Sequence, residues 1–382
     1  MRESLLRIGG VRELTPGKGR VALASHAVYE LVQAGHRVFV EKGAGEETDL
    51  PDGEYGVAGA RLVGEAAAAW CDSELIGKVN GLVPAEYGYL REGLIMFGFL
   101  SLSVNDGLLE ALLSSRCSAF SIKTIRDEKG GLPVPTPMSE IAGRLVTQIG
   151  AHYLQRPAGE PGILLGGATG ARPSRVVLLR AGVIGSVAAR VASGVGAEVV
   201  VMDRNLDRLR CVESTRLGGG RTLTASSMTI EDAVPHTDLL ISAVLVVGLK
   251  TRRLVGRETF REMREGSVIV DVDMNQGGSV ETSRPMTLLE PIFIKEGVTH
   301  YCAKNVRAAI PATTTHALSN ALLPYTQKVA DRGLVDALNL DAGLGYGAAV
   351  VKGHMVNDVL AYEHAMDYHP LKAFLPLYME AR

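Results

Sequence analysis

The stretch RVVLLRAGVIGSVAAR, residues 175–190, decides the fold of the central part of the chain. A run of β-branched and leucine residues leads through a short turn into a segment of small residues typical of a helix. The turn resembles the dinucleotide-binding fingerprint G-x-G-x-x-G, which follows a strand and opens a helix. Gly182 and Gly185 occupy the second and third glycine positions, and Arg180 replaces the first. The stretch therefore predicts a nucleotide-binding βαβ unit with an altered first turn.

A carboxylate follows this unit at the position expected for contact with a cofactor ribose. Asp203 ends the next predicted strand, VVVMD, about 20 residues after Gly182. In dinucleotide-binding folds such a carboxylate accepts hydrogen bonds from the adenosine ribose, and the pyrophosphate lies at the N-terminus of the helix. We therefore predict that this unit binds NAD. The predicted cofactor-binding residues are Arg180, Ala181, Gly182, Val183, Ile184, Gly185, Asp203 and Arg204.

Arg180 leaves three interpretations of the loop open. If the turn needs a positive φ there, a non-glycine residue costs about 1 kcal/mol. The guanidinium could instead bind a phosphate directly, or the loop has lost its ligand. Arg204 stands where a cation could meet the 2′-phosphate of NADP, whereas Asp203 favours the unphosphorylated cofactor. NAD is therefore predicted, with NADP as the alternative.

The composition is that of a globular protein with no polyanionic partner. The chain has 382 residues, of which 46% are hydrophobic and 21% charged, and its formal net charge is -2. This length suits two domains, and this charge gives no attraction to nucleic acid or to an acidic membrane. The four cysteines form no C-x-x-C pair and no histidines have ligand spacing, so no metal site is predicted and a reducing cytoplasm is expected. The apolar runs are shorter than the ~20 residues that span a bilayer.

Strand and helix patterns alternate along most of the chain, which predicts parallel sheets. HRVFVEKG and SAFSIKTI are typical of strands, and HAVYELVQAG is typical of a helix that ends at Gly35. RVVLL, AEVVVMD, TDLLISAVL and SVIVDVDM predict four buried strands of a doubly wound domain that starts at residue 175. A helix is predicted to follow Pro135 and Pro137. The segment after TTTHALSNALLPYTQKVADRG is predicted to be helical and to dock onto the N-terminal domain.

Several longer motifs occur in order along nearly the whole chain. They are GRVAL (19–23), VEKGAGE (40–46), AEYGYLREG (85–93), PMSEIAGRL (137–145), GILLGG (162–167), SAVLV (242–246), VDVDMNQGGSVETSRP (270–285) and HALSNALLPY (316–325). With these motifs the chain resembles the alanine dehydrogenase and pyridine-nucleotide transhydrogenase family. The resemblance implies an α/β fold of two doubly wound Rossmann-like domains with a cleft between them, and a homo-oligomer, either a hexamer or a dimer. Residues 1–134 plus 308–382 would form a discontinuous substrate domain, and 135–307 the dinucleotide-binding domain.

The resemblance also implies site residues, and three of them are replaced here. Arg20, in GRVAL, stands where the family binds the substrate carboxylate, and a guanidinium suits that planar group. The family's motif K-V-K-E-P contains two lysines, and the later one is functional. In KVNGL of this chain, Lys78 matches the earlier lysine, and Asn80 stands at the position of the functional lysine. Ser101 stands at the position of the acid/base histidine, and Asn275 at that of the aspartate before Q-G-G. Two further residues implied to line the substrate site are Met138 and Asn305.

We hypothesise that two charges have moved within the site rather than been lost. Asp273 lies two residues before Asn275, and Lys78 two before Asn80. Residues at this spacing in a strand share a face, about 7 Å apart. Lys78 and Asp273 would then supply a relocated charge pair in the cleft while Arg20 holds a carboxylate. The alternatives are that Asp273 is a solvated strand end, that Lys78 is a surface or oligomer contact, and that the neutral replacements only fill space.

Neutral side chains at these positions predict weak alanine dehydrogenase activity. A positioned acid or base contributes about 10²–10⁴-fold, and serine does not titrate near pH 7. We expect an NAD(P)-dependent oxidoreductase acting on an amino acid, an imino acid or a related small carboxylate other than alanine. Two other functions stay open: a non-redox amino-acid transformation with retained NAD, such as cyclodeamination, and a catalytically inactive nucleotide-binding homologue.

Overall fold

The chain folds into two compact units, one of which is discontinuous in sequence. Unit 1 comprises Met1–Met138 and Ile310–Arg382, and unit 2 comprises Ser139–Ala309. The computed structural model describes residues 5–15, 17, 19–156, 162–215, 218, 220–244, 253–272, 274 and 277–375. Two predicted site residues, Asp273 and Asn275, therefore lie outside the described residues. Within the described ranges, no helix combines the length and the apolar character needed to cross a membrane.

The N-terminal part of unit 1 alternates strands with helices, as the sequence pattern predicts. Its elements in chain order are β1 (Arg7–Gly10), α1 (Ser25–Gln33), β2 (Arg37–Glu41), α2 (Asp52–Val57), β3 (Arg61–Val63), α3 (Ala66–Asp72), β4 (Leu75–Asn80), β5 (Ile95–Phe99), α4 (Asp106–Ser114), β6 (Ser118–Ser121) and α5 (Pro135–Tyr153). The predicted end of α1 is confirmed, because the helix ends at Gln33 and Gly35 adopts a φ of +94°. The division between the units falls within α5.

Unit 2 begins within α5 and continues with the strands predicted from the sequence. Its further elements are β7 (Arg175–Leu179), α6 (Val183–Gly194), β8 (Glu198–Asp203), α7 (Leu206–Ser214), β9 (Arg221–Thr224), α8 (Ser227–Ala233), β10 (Leu239–Ser242), α9 (Arg257–Arg261), β11 (Val268–Asp271), β12 (Ile292–Lys295) and β13 (Val298–Tyr301). The C-terminal part of unit 1 then adds α10 (Pro311–Arg332), α11 (Leu334–Leu340), α12 (Ala342–Gly345), β14 (Ala348–Val351), β15 (His354–Met355) and α13 (Asp358–Glu363).

Both units contain a largely parallel sheet, which confirms the predicted fold class. Among the described residues, the strands of unit 1 are ordered β15-β14-β6-β5-β4-β1-β2-β3, and those of unit 2 β12-β13-β11-β10-β7-β8-β9. Strands β1 to β6 and β7 to β11 with β13 pair in parallel, whereas β12, β14 and β15 are antiparallel additions. The order of the strands reverses at β1 in unit 1 and at β7 in unit 2. In open α/β sheets, ligands bind outside the carboxyl ends of the strands at such a reversal.

Alternate residues of β7 enter two different hydrophobic cores. Val176 and Leu178 pack into a cluster with α6, while Val177 and Leu179 pack into a second cluster that includes Phe260 of α9. Both faces of the unit 2 sheet are therefore covered, as continuous apolar strand sequences require.

The structure corrects two expectations about secondary structure. The C-terminal segment is not purely helical, because β14 pairs antiparallel with β6 and extends the unit 1 sheet. Its sequence, AAVV, is short and uniformly apolar, and periodicity does not distinguish such a run from a helix. Helix α5 begins at Pro135 rather than after Pro137, since proline is tolerated in the first turn of a helix.

Candidate active site

The loop after β7 adopts the turn of the dinucleotide fingerprint with an arginine in the place of its first glycine. Arg180 has a φ of 86°, and its backbone N–H donates to the carbonyl of Met202 at 2.6 Å. The turn therefore does need the left-handed conformation, which costs a non-glycine residue about 1 kcal/mol. This confirms the condition of the first interpretation of Arg180, a positive φ at that residue.

Gly185 has the helix-to-strand packing that the fingerprint requires of its third glycine, and Gly182 opens the helix. A Cβ at Gly185 would lie 2.0 Å from the carbonyl oxygen of Arg180, so only glycine permits this approach of α6 to β7. Gly182 is the N-cap of α6, and a Cβ there would lie 3.9 Å from Arg180 Nε, at van der Waals contact with that side chain. Ala181 is buried, Ile184 is half-buried and Val183 is exposed. The free N–H groups of the first turn of α6 can therefore be approached by an anion.

Asp203 is fixed beside this loop with part of its acceptor capacity unused. Its Oδ2 accepts the backbone N–H of Ala181 at 2.8 Å, and its Oδ1 accepts that of Asn205 at 2.8 Å. Arg208 Nη1 lies 3.7 Å from Oδ2. A carboxylate has about four acceptor sites, so each oxygen can still accept a ribose hydroxyl. Arg204 is exposed next to it, and the residues of this loop fit a dinucleotide.

A buried cluster of charged groups lies in unit 1, where the strand order reverses between β1 and β4. Lys78, near the end of β4, places its Nζ 3.0 Å from Glu86 Oε1 and 3.4 Å from Glu13 Oε2. The side chains of Lys78, Glu13 and Glu86 are 1%, 1% and 3% exposed. The alternative interpretation of Lys78 as a surface residue is therefore wrong. The carboxylates that Lys78 contacts in the structure are Glu13 and Glu86, while its pairing with Asp273 stays a prediction.

Asn80 belongs to the same cluster. Its side-chain Nδ2 donates to Glu13 Oε2 at 2.9 Å, and its backbone N–H donates to Glu13 Oε1 at 3.0 Å. The N–H of Val79 donates to the same Oε1 at 2.8 Å. Lys78 and Asn80 therefore meet one carboxylate. The pairing of β4 with β5 is irregular between Gly77 and Asn80, and a shared face of the two side chains stays a prediction.

Two residues of this cluster were missed by the sequence analysis. Glu13 comes three residues after β1, the strand at which the strand order reverses. Its position just after this strand is the sequence feature that could have identified it as a site residue. Glu86 lies in AEYGYLREG, and its Oε2 accepts the N–H of Val83 at 2.9 Å. A local turn carboxylate gives no sequence signal that it will also face a lysine on β4.

Arg20 is buried, at 4% exposure, in a segment that α10 holds in place. The N–H of Val21 donates to Thr315 Oγ1 at 3.3 Å, and that of Ala24 to Ser319 Oγ at 2.9 Å. The C-terminal part of the chain thus positions the segment of the predicted carboxylate-binding arginine.

The other predicted substrate-site residues lie on different elements of the chain. Ser101 is exposed, with a φ of 51°, at the turn that precedes α4. Met138 on α5 is 1% exposed. In unit 2, Asn305 is half-buried with a φ of 55°, and its carbonyl accepts the N–H of Ala308 at 2.9 Å. Among the residues that the structure describes, no group of three or more histidine, cysteine, aspartate or glutamate side chains could hold a metal ion.

Two family models match the chain in the order of its sequence. "Alanine dehydrogenase/PNT, N-terminal domain" matches residues 9–142, and "Alanine dehydrogenase/PNT, C-terminal domain" matches residues 146–358. The chain belongs to the alanine dehydrogenase/PNT family. This confirms the resemblance inferred from its motifs and the prediction of an enzyme of the dehydrogenase class. The family and its Rossmann-like fold imply NAD(H) as the cofactor.

Individual relatives agree with this membership of the alanine dehydrogenase/PNT family. Alanine dehydrogenase of Mycobacterium tuberculosis (strain H37Rv) is 40% identical over 356 residues, which cover 93% of this chain and 96% of that protein. Alanine dehydrogenase of Bacillus subtilis (strain 168) is 39% identical over 369 residues, covering 96% and 97%. A solved L-alanine dehydrogenase superposes with a TM-score of 0.91 at 39% identity, covering 94% of this chain and 99% of the other. A transhydrogenase from Sinorhizobium meliloti, at 23% identity and a TM-score of 0.81 with coverage of 92% and 100%, shares the fold.

Proposed function

We propose that the chain is an NAD-dependent oxidoreductase of an amino acid, an imino acid or a related small carboxylate, and not an efficient alanine dehydrogenase. The observation that carries this proposal is the contact between Asn80 and Glu13. At the position matched to the family's functional lysine, a neutral amide donates to a buried carboxylate. An amide there supplies no positive charge to polarise a keto oxygen.

The neighbouring lysine does not simply replace the missing one. The ammonium of Lys78 is buried between the carboxylates of Glu13 and Glu86, so its charge is compensated within the cluster. A charge pair of Lys78 with Asp273 remains our proposal. Because the Lys78 ammonium is 1% exposed and contacts two carboxylates, its part in that pair would be to position a carboxylate rather than to touch the substrate. In this proposal Glu13 is a positioning residue, because it holds both Lys78 and Asn80.

The chain's own residues have separate roles in the proposed reaction. NAD, when bound, supplies an acceptor or donor of hydride. Gly182, Gly185 and the N-terminus of α6 would hold its pyrophosphate, and Asp203 its ribose. Arg20 would bind the substrate carboxylate through a planar pair of hydrogen bonds.

The proposed substrate class follows from what the site lacks. Ser101 is not a proton donor near pH 7, and loss of one positioned acid or base costs about 10²–10⁴-fold in rate. Reduction of a preformed imine needs less acid catalysis than assembly of an imine from a ketone and ammonia. A site without the family's acid/base histidine and functional lysine therefore suits an imino acid better than pyruvate.

We further propose how cofactor choice, domain roles and assembly are arranged. The carboxylate of Asp203 favours NAD over NADP, because it would repel a 2′-phosphate. Residues 135–307 would bind the cofactor, and 1–134 with 308–382 the substrate. The chain would assemble as a homo-oligomer, either a hexamer or a dimer. Light scattering coupled to size-exclusion chromatography distinguishes a hexamer, a dimer and a monomer.

Calorimetric titration with NAD, NADH, NADP and NADPH, followed by a screen of amino and keto acids, tests this proposal. We expect binding of NAD or NADH, weak alanine oxidation, and faster turnover of another small carboxylate. Alanine oxidation by the unaltered chain with a kcat/KM of about 10⁴ M⁻¹s⁻¹ or more would contradict it.

A gain-of-function variant provides the matched comparison. The double substitution Asn80→Lys with Ser101→His restores two family side chains, and we expect alanine oxidation to rise by about 10²-fold or more. Ser114→His, on an exposed side chain of α4, is the control and should leave the rate unchanged. If the double variant gains nothing while NADH affinity is retained, these two positions do not limit alanine turnover.

A further inference from the structure

We propose that the guanidinium of Arg180 binds the pyrophosphate of the dinucleotide and so replaces the first fingerprint glycine with a charged ligand. The inference rests on the proposed binding of NAD. It assigns to this chain a cofactor contact that a glycine at the same position has no side chain to make.

The position of the guanidinium supports this assignment. Arg180 is half-buried at the carboxyl end of β7. Its Nε lies 3.9 Å from the point that a Cβ at Gly182 would occupy. In dinucleotide-binding loops the glycine at this second position leaves room for the backbone to approach the pyrophosphate. The arginine side chain therefore lies on the side of the turn that the phosphates would approach.

The charges around the loop favour an anion at this place. The first turn of α6 carries no acidic residue, and its N-terminal N–H groups add partial positive charge. The carboxylate of Asp203 already accepts two backbone N–H groups and lies 3.7 Å from Arg208. A pyrophosphate would thus be bound between a helix N-terminus and a guanidinium. A guanidinium presents five N–H donors in a plane and can bind a phosphate with two of them.

The backbone conformation gives an independent reason to connect Arg180 with a ligand. At a φ of 86°, glycine would be unstrained and arginine is not. Strained residues are often associated with ligand-binding sites. Substitution by glycine should therefore have two opposite effects: it relieves the backbone and weakens the binding of the cofactor.

Three variants and one control test this inference by affinity and thermal stability. Arg180→Gly removes the side chain and the backbone strain, Arg180→Ala removes the side chain beyond Cβ and keeps the strain, and Arg180→Lys keeps a charge without the planar donors. Arg190→Ala, at an exposed position of α6, matches the change in net charge. Calorimetry measures the Kd of NADH, of ADP-ribose, which retains the pyrophosphate, and of adenosine, which lacks it. Thermal unfolding without ligand checks each variant's fold.

We expect Arg180→Gly and Arg180→Ala to weaken NADH and ADP-ribose binding about 10- to 100-fold, with a smaller loss for Arg180→Lys. Adenosine affinity should not change, Arg190→Ala should bind like the unaltered chain, and Arg180→Gly should melt no lower than Arg180→Ala. Raising the salt concentration should weaken NADH binding more in the unaltered chain than in Arg180→Ala. Equal or tighter NADH binding by Arg180→Gly overturns the inference and leaves the proposed function intact. Failure of the unaltered chain to bind any dinucleotide overturns both.

Discussion

The buried charge cluster of unit 1 makes Lys78 the residue whose neutralisation should cost the most stability. Lys78→Met keeps much of the side-chain volume and removes the ammonium. Glu13 and Glu86 would then be two buried carboxylates with no cation between them. Glu86→Gln, in contrast, leaves one ammonium with one carboxylate.

The contact distances set the expected magnitude. At 3.0 and 3.4 Å, each carboxylate attracts the ammonium by about 5 kcal/mol at an effective dielectric constant of about 20. Desolvation of the three buried groups offsets much of this attraction, and breaking a buried ion pair typically costs about 3–5 kcal/mol. We expect Lys78→Met to lose stability within that range. Glu86→Gln should lose about 1–3 kcal/mol, the cost of a weakened hydrogen bond to a charged group.

The fluorescence of one tryptophan can be used to follow the unfolding of unit 1. Trp70 is the one tryptophan of the chain, is fully buried in α3, and stacks on Tyr89 at 5.5 Å between ring centroids. Urea unfolding followed by tryptophan emission therefore measures the free energy of unfolding of unit 1. The double variant of Lys78→Met with Glu86→Gln should recover part of the loss, since it removes one of the two unpaired charges. The reasoning is refuted if Lys78→Met lies within about 1 kcal/mol of the unaltered chain, or if Glu86→Gln costs as much as Lys78→Met.

Two further predictions concern unit 2. Gly185→Ala would place a Cβ 2.0 Å from a backbone carbonyl oxygen, so we expect a loss of about 1–3 kcal/mol in stability and at least tenfold weaker NADH binding. Gly194→Ala, on the same helix with open space around it, is the control and should not destabilise the chain. Equal melting temperatures for the two variants would count against the packing argument. Burial lowers the pKa of His300 to about 4, so between pH 6.5 and 4 the unfolded chain binds more protons than the folded chain. The contribution of His300 to the free energy of unfolding is fully present above pH 6.5. It should fall by up to about 3 kcal/mol as the pH drops through this window. Calorimetric unfolding at several pH values measures this slope, which His300→Gln should reduce; an unchanged slope in that variant would assign the pH dependence to other groups.

The parallel strands of unit 2 could be read from the sequence because their pattern is local and strong. RVVLL and VVVMD are continuous apolar runs bounded by polar or glycine-rich turns, and the glycines between them have a required backbone geometry. Gly182, Gly185 and Asp203 were therefore assigned in advance, and the contact between Ala181 and Asp203 agrees with that assignment. Strands β9 and β14 were not predicted, since such short runs acquire their conformation from the neighbouring strands.

The sequence by itself determined the two parallel sheets, the family and the candidate cofactor loop, because local apolar patterns and glycine geometry specify them. Only the tertiary structure decided what Lys78 and Asn80 contact. Glu13 lies 65 residues before Lys78 and meets it because β1 and β4 pair in parallel at the strand-order reversal. No local pattern encodes a contact between two side chains so far apart in the chain; it follows from sheet pairing and from the need of a buried ammonium for buried carboxylates.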